Sequence, residues 1–172
     1  MRVYRNGVTE QFDMKTIDIY DETYSEKHTK VREACRGIVV SDGKILLTYE
    51  TNTDLWFIPG GGVETNESHE ECCVREVAEE TGYIVEIKEQ YLKKNEHYNE
   101  WLWVSYYYIC DHIGITERKL TEREVEEGLE LRWISLEEAV EIFSKYQDYE
   151  KVDKMKYGAY LREYTALREY FS

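Results

Sequence analysis

Proline is nearly absent from this chain: Pro59 is the only one in 172 residues. The four cysteines form no C-x-x-C pair, which argues against a redox or zinc motif, and we expect reduced thiols. No apolar run approaches the roughly 20 residues that cross a bilayer, and the N-terminus lacks the apolar stretch of a secretory signal. These absences predict a cytoplasmic protein that does not act at a membrane.

Positive charge is also scarce, since 22 Lys and Arg face 36 Asp and Glu for a net charge of −14. Non-specific nucleic-acid binding depends on neutralising phosphates with Lys and Arg, so we expect no nucleic-acid partner. The same charge repels a small phosphate ligand, unless a bound divalent cation inverts the local field. The length fits one domain with one appended element.

Apolar spacing predicts an α/β fold, in which helices cover a mixed sheet. Strands are predicted at 34–40, 44–50, 55–58, 84–93, 100–110 and 129–134, and helices at 69–81, 136–146 and 150–171. We expect residues 1–31 to form an N-terminal extension with an edge strand at 16–20. Residues 32–147 would form the main domain. Residues 148–172 would form a C-terminal helix that packs on this domain or in a homodimer.

The predicted helix at 69–81 has well-marked ends. Ser68 and Glu71 have the S-x-x-E spacing of a capping box, and Gly82 stands where a helix-ending glycine belongs. At about 100° per residue, one arc of the helix is apolar and should face the core. Its members are Cys73, Val74, Val77 and Ala78.

Three glutamates, Glu76, Glu79 and Glu80, occupy the opposite arc of the same helix. Carboxylates this close repel one another, and hard divalent cations prefer oxygen ligands. A solvated acidic face is the ordinary explanation of such a run. The glycines at 60–62 favour a functional site instead, because a backbone without side chains lets a ligand approach closely.

Together with Arg75 and Glu67, these residues resemble the Nudix box: Gly, five residues, Glu, seven residues, then Arg-Glu-apolar-any-Glu-Glu-any-Gly-apolar. The box runs through Gly61, Glu67, Arg75, Glu76, Val77, Glu79, Glu80 and Gly82, with Tyr83 at the last apolar place. The similarity extends over residues 32–145, including the stretches at 56–61 and 127–138. The chain therefore resembles a Nudix (MutT-like) hydrolase.

This resemblance implies a Nudix-type α/β/α sandwich and the hydrolysis of a nucleoside diphosphate linked to another group, with water attacking phosphorus. The cofactor would be Mg²⁺, with Mn²⁺ as a substitute. The implied metal ligands are Glu76, Glu79, Glu80 and the backbone carbonyl of Gly60. Glu79 would be a third ligand or the base, Glu67 and Arg75 would orient the glutamates, and Glu127 is a further candidate base.

Substrate-binding residues are less defined. Tyr98 and Trp103 are candidates to stack on a base, although a buried aromatic strand is the commoner explanation. Arg36 would meet a phosphate or pair with a glutamate of the box. Family members that act on ADP-ribose often carry a proline about 15 residues beyond the box, where this chain has Tyr98.

Two other functions are compatible with the fold. An isopentenyl diphosphate isomerase would have a degenerate box and an added cysteine motif, whereas this box is complete. A non-catalytic nucleotide-binding module or regulator would lose the glutamates, whereas all three are present. Release of phosphate product that depends on magnesium would distinguish an enzyme from a binding module.

Overall fold

The computed structural model describes the backbone of residues 2–5 and 8–11, and residues 15–24 and 26–170 in full. Phe171, the predicted end of the C-terminal helix, lies outside the described residues. The strands are β1 (Arg2–Arg5), β2 (Val8–Gln11), β3 (Thr16–Tyr20), β4 (Lys30–Ser41), β5 (Lys44–Glu50), β6 (Leu55–Phe57), β7 (Gly60–Gly62), β8 (Tyr83–His97), β9 (Trp101–Ile115) and β10 (Leu129–Ser135). The helices are α1 (His69–Thr81), α2 (Glu122–Glu126), α3 (Leu136–Ser144), a 3-10 helix (Lys145–Tyr149) and α4 (Lys154–Tyr170).

The central sheet has the strand order β10-β5-β4-β9-β8-β3, with β6 paired to β5 and β7 paired to β4. Strand β4 runs parallel to β9, and β3 runs parallel to β8 at the edge of the sheet. The long β8–β9 hairpin and the other pairs are antiparallel. Strands β1 and β2 form a separate antiparallel pair. The mixed sheet with its helices confirms the predicted α/β fold.

The core divides into two clusters, one on each face of the sheet, because successive side chains of a strand point to opposite faces. On β4, Val39 packs in the cluster that contains Val77 of α1, and Ile38 packs in the cluster that contains Phe143 of α3 and Leu167 of α4. Each of these five side chains is fully buried. The three layers place α1 on one face and α3 with α4 on the other.

Helix α4 packs on its own chain, the first of the two arrangements predicted for it, while the homodimer stays a prediction. Ala159, Tyr160, Ala166 and Leu167 are buried, but Met155 is 68% exposed. The helix also buries the charged residues Lys156, Arg162 and Glu163, which its apolar spacing does not indicate. It begins at Lys154 rather than at 150, after the 3-10 helix. None of the described helices is long and apolar enough to span a membrane.

Candidate active site

The caps of α1 fix the rotation of the helix and therefore the direction of its glutamates. The Ser68 hydroxyl accepts the Glu71 N–H at 3.1 Å, and the Glu71 carboxylate accepts the Ser68 N–H at 2.8 Å. Gly82 ends the helix at φ 77°, in the left-handed region that favours glycine. The helical wheel places Cys72 between the glutamates, yet its side chain is buried, with its thiol 3.5 Å from the carbonyl oxygen of Gly62.

Arg75 joins three of the box glutamates. Its Nε and Nη2 donate to the two oxygens of Glu67 at 2.6 and 2.9 Å, a bidentate pair. Its Nη1 donates to Glu76 at 2.7 Å and to Glu79 at 3.1 Å. The hydrogen bond from Arg75 lowers the pKa of Glu67 to about 2. Arg75 thus sets the positions of the carboxylates that flank it.

Two glycines let the chain approach the glutamates closely. A Cβ on Gly61 would lie 2.4 Å from Oε2 of Glu76, so a side chain there would displace the carboxylate. Gly60 has φ 152°, a Cβ there would lie 2.0 Å from the Cys35 carbonyl oxygen, and its N–H donates to Glu80 Oε2 at 2.9 Å. Both positions therefore require glycine.

Burial makes the inner glutamates reluctant to ionise. Desolvation raises the pKa of Glu80 to about 8, and the nearby charge of Glu76 acts in the same direction. Desolvation also raises the pKa of Glu76, against the opposing effect of Arg75. Carboxylates in this condition are those that a positive charge would stabilise most.

The donor atoms of these residues suit a divalent cation. Carboxylate oxygens beside a side-chain-free backbone are the ligands that Mg²⁺ prefers. In the part of the chain that the structure describes, no three His, Cys, Asp or Glu side chains are already arranged around one metal position. Glu76 and Glu79 bond to Arg75 and Glu80 bonds to Gly60. The donor set fits a hard cation, and binding would require these carboxylates to reorient.

The glutamates open onto a cleft of about 840 Å³. It is also lined by the candidate residues Arg36, Tyr98, Trp103 and Glu127. Trp103 is half-buried, with its ring centre 5.3 Å from that of Tyr98 and 5.3 Å from the Arg32 guanidinium. The sequence-predicted site residues thus line one cavity, with the exception of Glu67, which reaches it through Arg75. Tyr98 and Trp103 also pack against each other.

Arg36 was predicted either to meet a phosphate or to pair with a glutamate of the box. The structure does not show the pairing with the box. Its Nη1 donates to the Ile58 carbonyl at 3.0 Å and lies 3.6 Å from Oε1 of Glu163 on α4. Glu163 is fully buried and also bonds Arg162 at 3.2 Å and the Tyr107 hydroxyl at 3.1 Å. Strand β4 meets α4 here, and the carboxylate that Arg36 faces comes from α4.

Sequence reasoning missed the contribution of α4 to the cleft. Met155, Gly158 and Arg162 line it, although they follow the box by more than 70 residues. It also missed α2, for which a local signal exists. Thr121 and Glu124 form a T-x-x-E capping box.

Glu127 is the C-cap residue of α2. Its Oε1 accepts from Arg123 Nε at 2.8 Å, which lowers the pKa of its carboxyl group. The lowered pKa weakens it as a base at neutral pH, because the ideal base has a pKa close to the working pH.

Comparisons with known proteins agree with this geometry. The NUDIX domain profile matches residues 31–155, so the chain belongs to the Nudix family. The chain is 36% identical over 87 residues to a protein named ADP-ribose pyrophosphatase from Methanocaldococcus jannaschii, an alignment of 42% of this chain and 52% of that protein. It is 30% identical over 116 residues to Nudix hydrolase 4 from Arabidopsis thaliana, which covers 64% of this chain and 53% of that one. The chain therefore spans about half the length of these relatives.

The fold agrees with a solved structure as well. The crystal structure of MutT protein from Methanosarcina mazei Go1 superposes with a TM-score of 0.57, covering 86% of this chain and 99% of that one. At 17% identity this likeness shows the fold alone.

Proposed function

We propose that this protein is a magnesium-dependent hydrolase that cleaves the diphosphate linkage of a nucleoside diphosphate bonded to another group. The observation that carries the proposal is the set of three glutamates, Glu76, Glu79 and Glu80, held at a glycine-lined cleft by Arg75 and the Gly60 N–H. Carboxyl groups whose pKa burial raises, gathered in one cleft, are typical of functional sites.

Glu76, Glu79, Glu80 and the carbonyl of Gly60 would hold Mg²⁺, with Mn²⁺ as a substitute. When bound, the cation would neutralise phosphate oxygens and lower the pKa of water. Glu67 acts through Arg75, to which it is bonded by two hydrogen bonds, and orients the glutamates that Arg75 contacts.

Water attacks one phosphorus, its proton passes to a carboxylate, and the other phosphate leaves with the electron pair of the broken P–O bond. Glu79 and Glu127 are the two candidate bases.

The rest of the cleft lining supports a substrate with a base at one end. Arg36 and Arg32 line the cleft and would face phosphate oxygens, and Tyr98 and Trp103 offer aromatic surface to a planar ring. A cleft of about 840 Å³ has room for a nucleotide and a second group.

A panel of nucleotide substrates, with products resolved by mass, tests this proposal. The panel should include ADP-ribose, because one relative is named ADP-ribose pyrophosphatase. We expect two phosphate-bearing products, formed only when Mg²⁺ or Mn²⁺ is added. Tight binding of nucleotides without any product would instead favour the non-catalytic binding module.

A further inference from the structure

Two carboxyl groups meet on the α2 side of the cleft, away from the box helix. Glu50 is the last residue of β5 and is only 5% exposed, and Glu127 is the C-cap of α2. Both line the cleft, and both carboxyl groups lie beside the guanidinium of Arg123. Two carboxylates held this close repel each other unless a proton lies between them.

The surroundings supply too few donors for two ionised groups. Arg123 Nε donates to Oε1 of Glu127 at 2.8 Å, while its Nη2 is 4.0 Å from Oε1 of Glu50. The Thr53 hydroxyl donates to Oε2 of Glu50 at 2.5 Å. Oε2 of Glu127 is buried and has no hydrogen-bond partner among the described residues. A buried acceptor without a donor is costly, so a donor is required at this oxygen.

We propose that Glu50 keeps its proton when Glu127 is ionised, donates that proton to Oε2 of Glu127, and thereby positions the Glu127 carboxylate in the cleft wall. The pair then carries one negative charge, which Arg123 balances. Glu50 is a positioning residue, and its effect on turnover rests on the proposed function. Its protonation is independent of the proposed function.

The electrostatics assign the proton to Glu50 rather than to Glu127. Desolvation raises the pKa of Glu50, the contact with Glu127 raises it further, and Thr53 and Arg123 oppose this shift. Arg123 and then Glu50 lower the pKa of Glu127. The two groups titrate as a pair, with the first proton lost from Glu127 and the second from Glu50.

Titration of the glutamate side-chain carboxyl carbons by ¹³C NMR tests the protonation in the full chain. We expect Glu50 to titrate above the ordinary glutamate range, and its pKa to fall in Glu127→Gln, which removes the repelling charge. Glu126→Gln, an exposed change of equal charge on the same helix, should leave it unchanged. An ordinary pKa for Glu50 in the parental protein would overturn the proposal.

Thermal melts give a second readout that needs no substrate. Because the folded pKa of Glu50 is raised, its contribution to stability is complete below the unfolded pKa and is lost as the pH rises through the folded pKa. Glu50→Gln cannot lose this proton. Its melting temperature relative to the parental protein should therefore rise with pH, and a constant difference from pH 4 to pH 9 would contradict the proposal.

The pH dependence of kcat/KM tests the positioning role. Glu50→Gln keeps a donor toward Glu127 at every pH and should lose the alkaline decline that the ionisation of Glu50 causes. Glu50→Leu has no donor and should be weakly active throughout. If Glu50→Gln gives the parental profile, or Glu50→Leu the parental rate, Glu50 does not position Glu127. If no compound in the panel is hydrolysed, the proposed function fails, while the titration still decides the protonation.

Discussion

The two sides of the cleft balance their charges differently. On the α1 side, three carboxylates bond to one guanidinium, that of Arg75, and a fourth bonds to a backbone N–H. On the α4 side, buried acids are matched by buried or half-buried cations. The acids are Glu96 and Glu163, and the cations are Arg36 and Arg162.

This difference separates residues that serve a ligand from residues that serve the fold. Surplus charge costs stability in the free protein and is relieved when an opposite charge binds. Balanced buried charge is costly only when one partner is removed. Substitutions on the α1 side should therefore change activity more than stability, and those on the α4 side should do the reverse.

The largest effect is expected from Glu163→Ala on the α4 side. It leaves Arg36 and Arg162 buried without their shared carboxylate and the Tyr107 hydroxyl without its acceptor. Removing one partner of a buried ion pair typically costs about 3–5 kcal/mol. Denaturant unfolding should show this loss, and the exposed Glu117→Ala should cost far less. If the two variants were equally stable, the buried ion pairs on the α4 side would not be what stabilises the fold.

Glu80→Gln tests the α1 side. Catalytic activity should fall by roughly 100-fold or more, since even outer partners of a metal typically contribute 10- to 100-fold. The melting temperature without added cation should be equal or higher, because the variant removes a carboxyl group that burial disfavours. Glu70→Gln, at the exposed start of the helix, is the control. A folded Glu80→Gln that turns over at the parental rate would show that Glu80 is not a ligand.

Glu67→Gln distinguishes positioning from ligation on the same side. The amide keeps the shape but loses the bidentate charge pair with Arg75. We expect about a 10- to 100-fold loss of kcat with a smaller change in metal affinity, as for outer-shell partners. Steady-state kinetics over a range of Mg²⁺ concentrations separates the two. A loss that excess Mg²⁺ fully restores would make Glu67 part of the metal site.

The same contrast explains what the sequence predicted and what it did not. The bounds of α1 were predicted to the residue, because Ser68, Glu71 and Gly82 act within one turn of the helix. Strand β5 was equally well bounded by its turn. In contrast, Lys94 donates to the carbonyl of Arg162, 68 residues away. No local sequence pattern predicts a partner at that distance along the chain.

The ends of the strands were also hard to predict, because they depend on partners that are distant along the chain. Strands β8 and β9 reach Tyr83–His97 and Trp101–Ile115, several residues beyond the predicted strands, because each extends as far as its partner can pair with it. The roles assigned to the site residues remain predictions. Helix α4 completes the lining of the cleft, and its buried charges resemble an ordinary solvated helix face in the sequence.

The smallest effect is expected from Trp101→Ala at the aromatic end of the cleft. This end has neither the surplus negative charge of the α1 side nor the buried ion pairs of the α4 side. Trp101 lines the cleft, is 39% exposed and has the Lys30 ammonium 5.4 Å from its ring centre. Its loss should raise KM by a few-fold with kcat unchanged, since an aromatic contact is worth about 0.5–1.5 kcal/mol. Stability should change little, because the ring is partly in solvent. Tyr20→Ala, which removes an aromatic ring 60% exposed outside the cleft lining, is the matched control. If both variants keep the parental KM, Trp101 does not contact the substrate, and binding depends on the charged walls of the cleft.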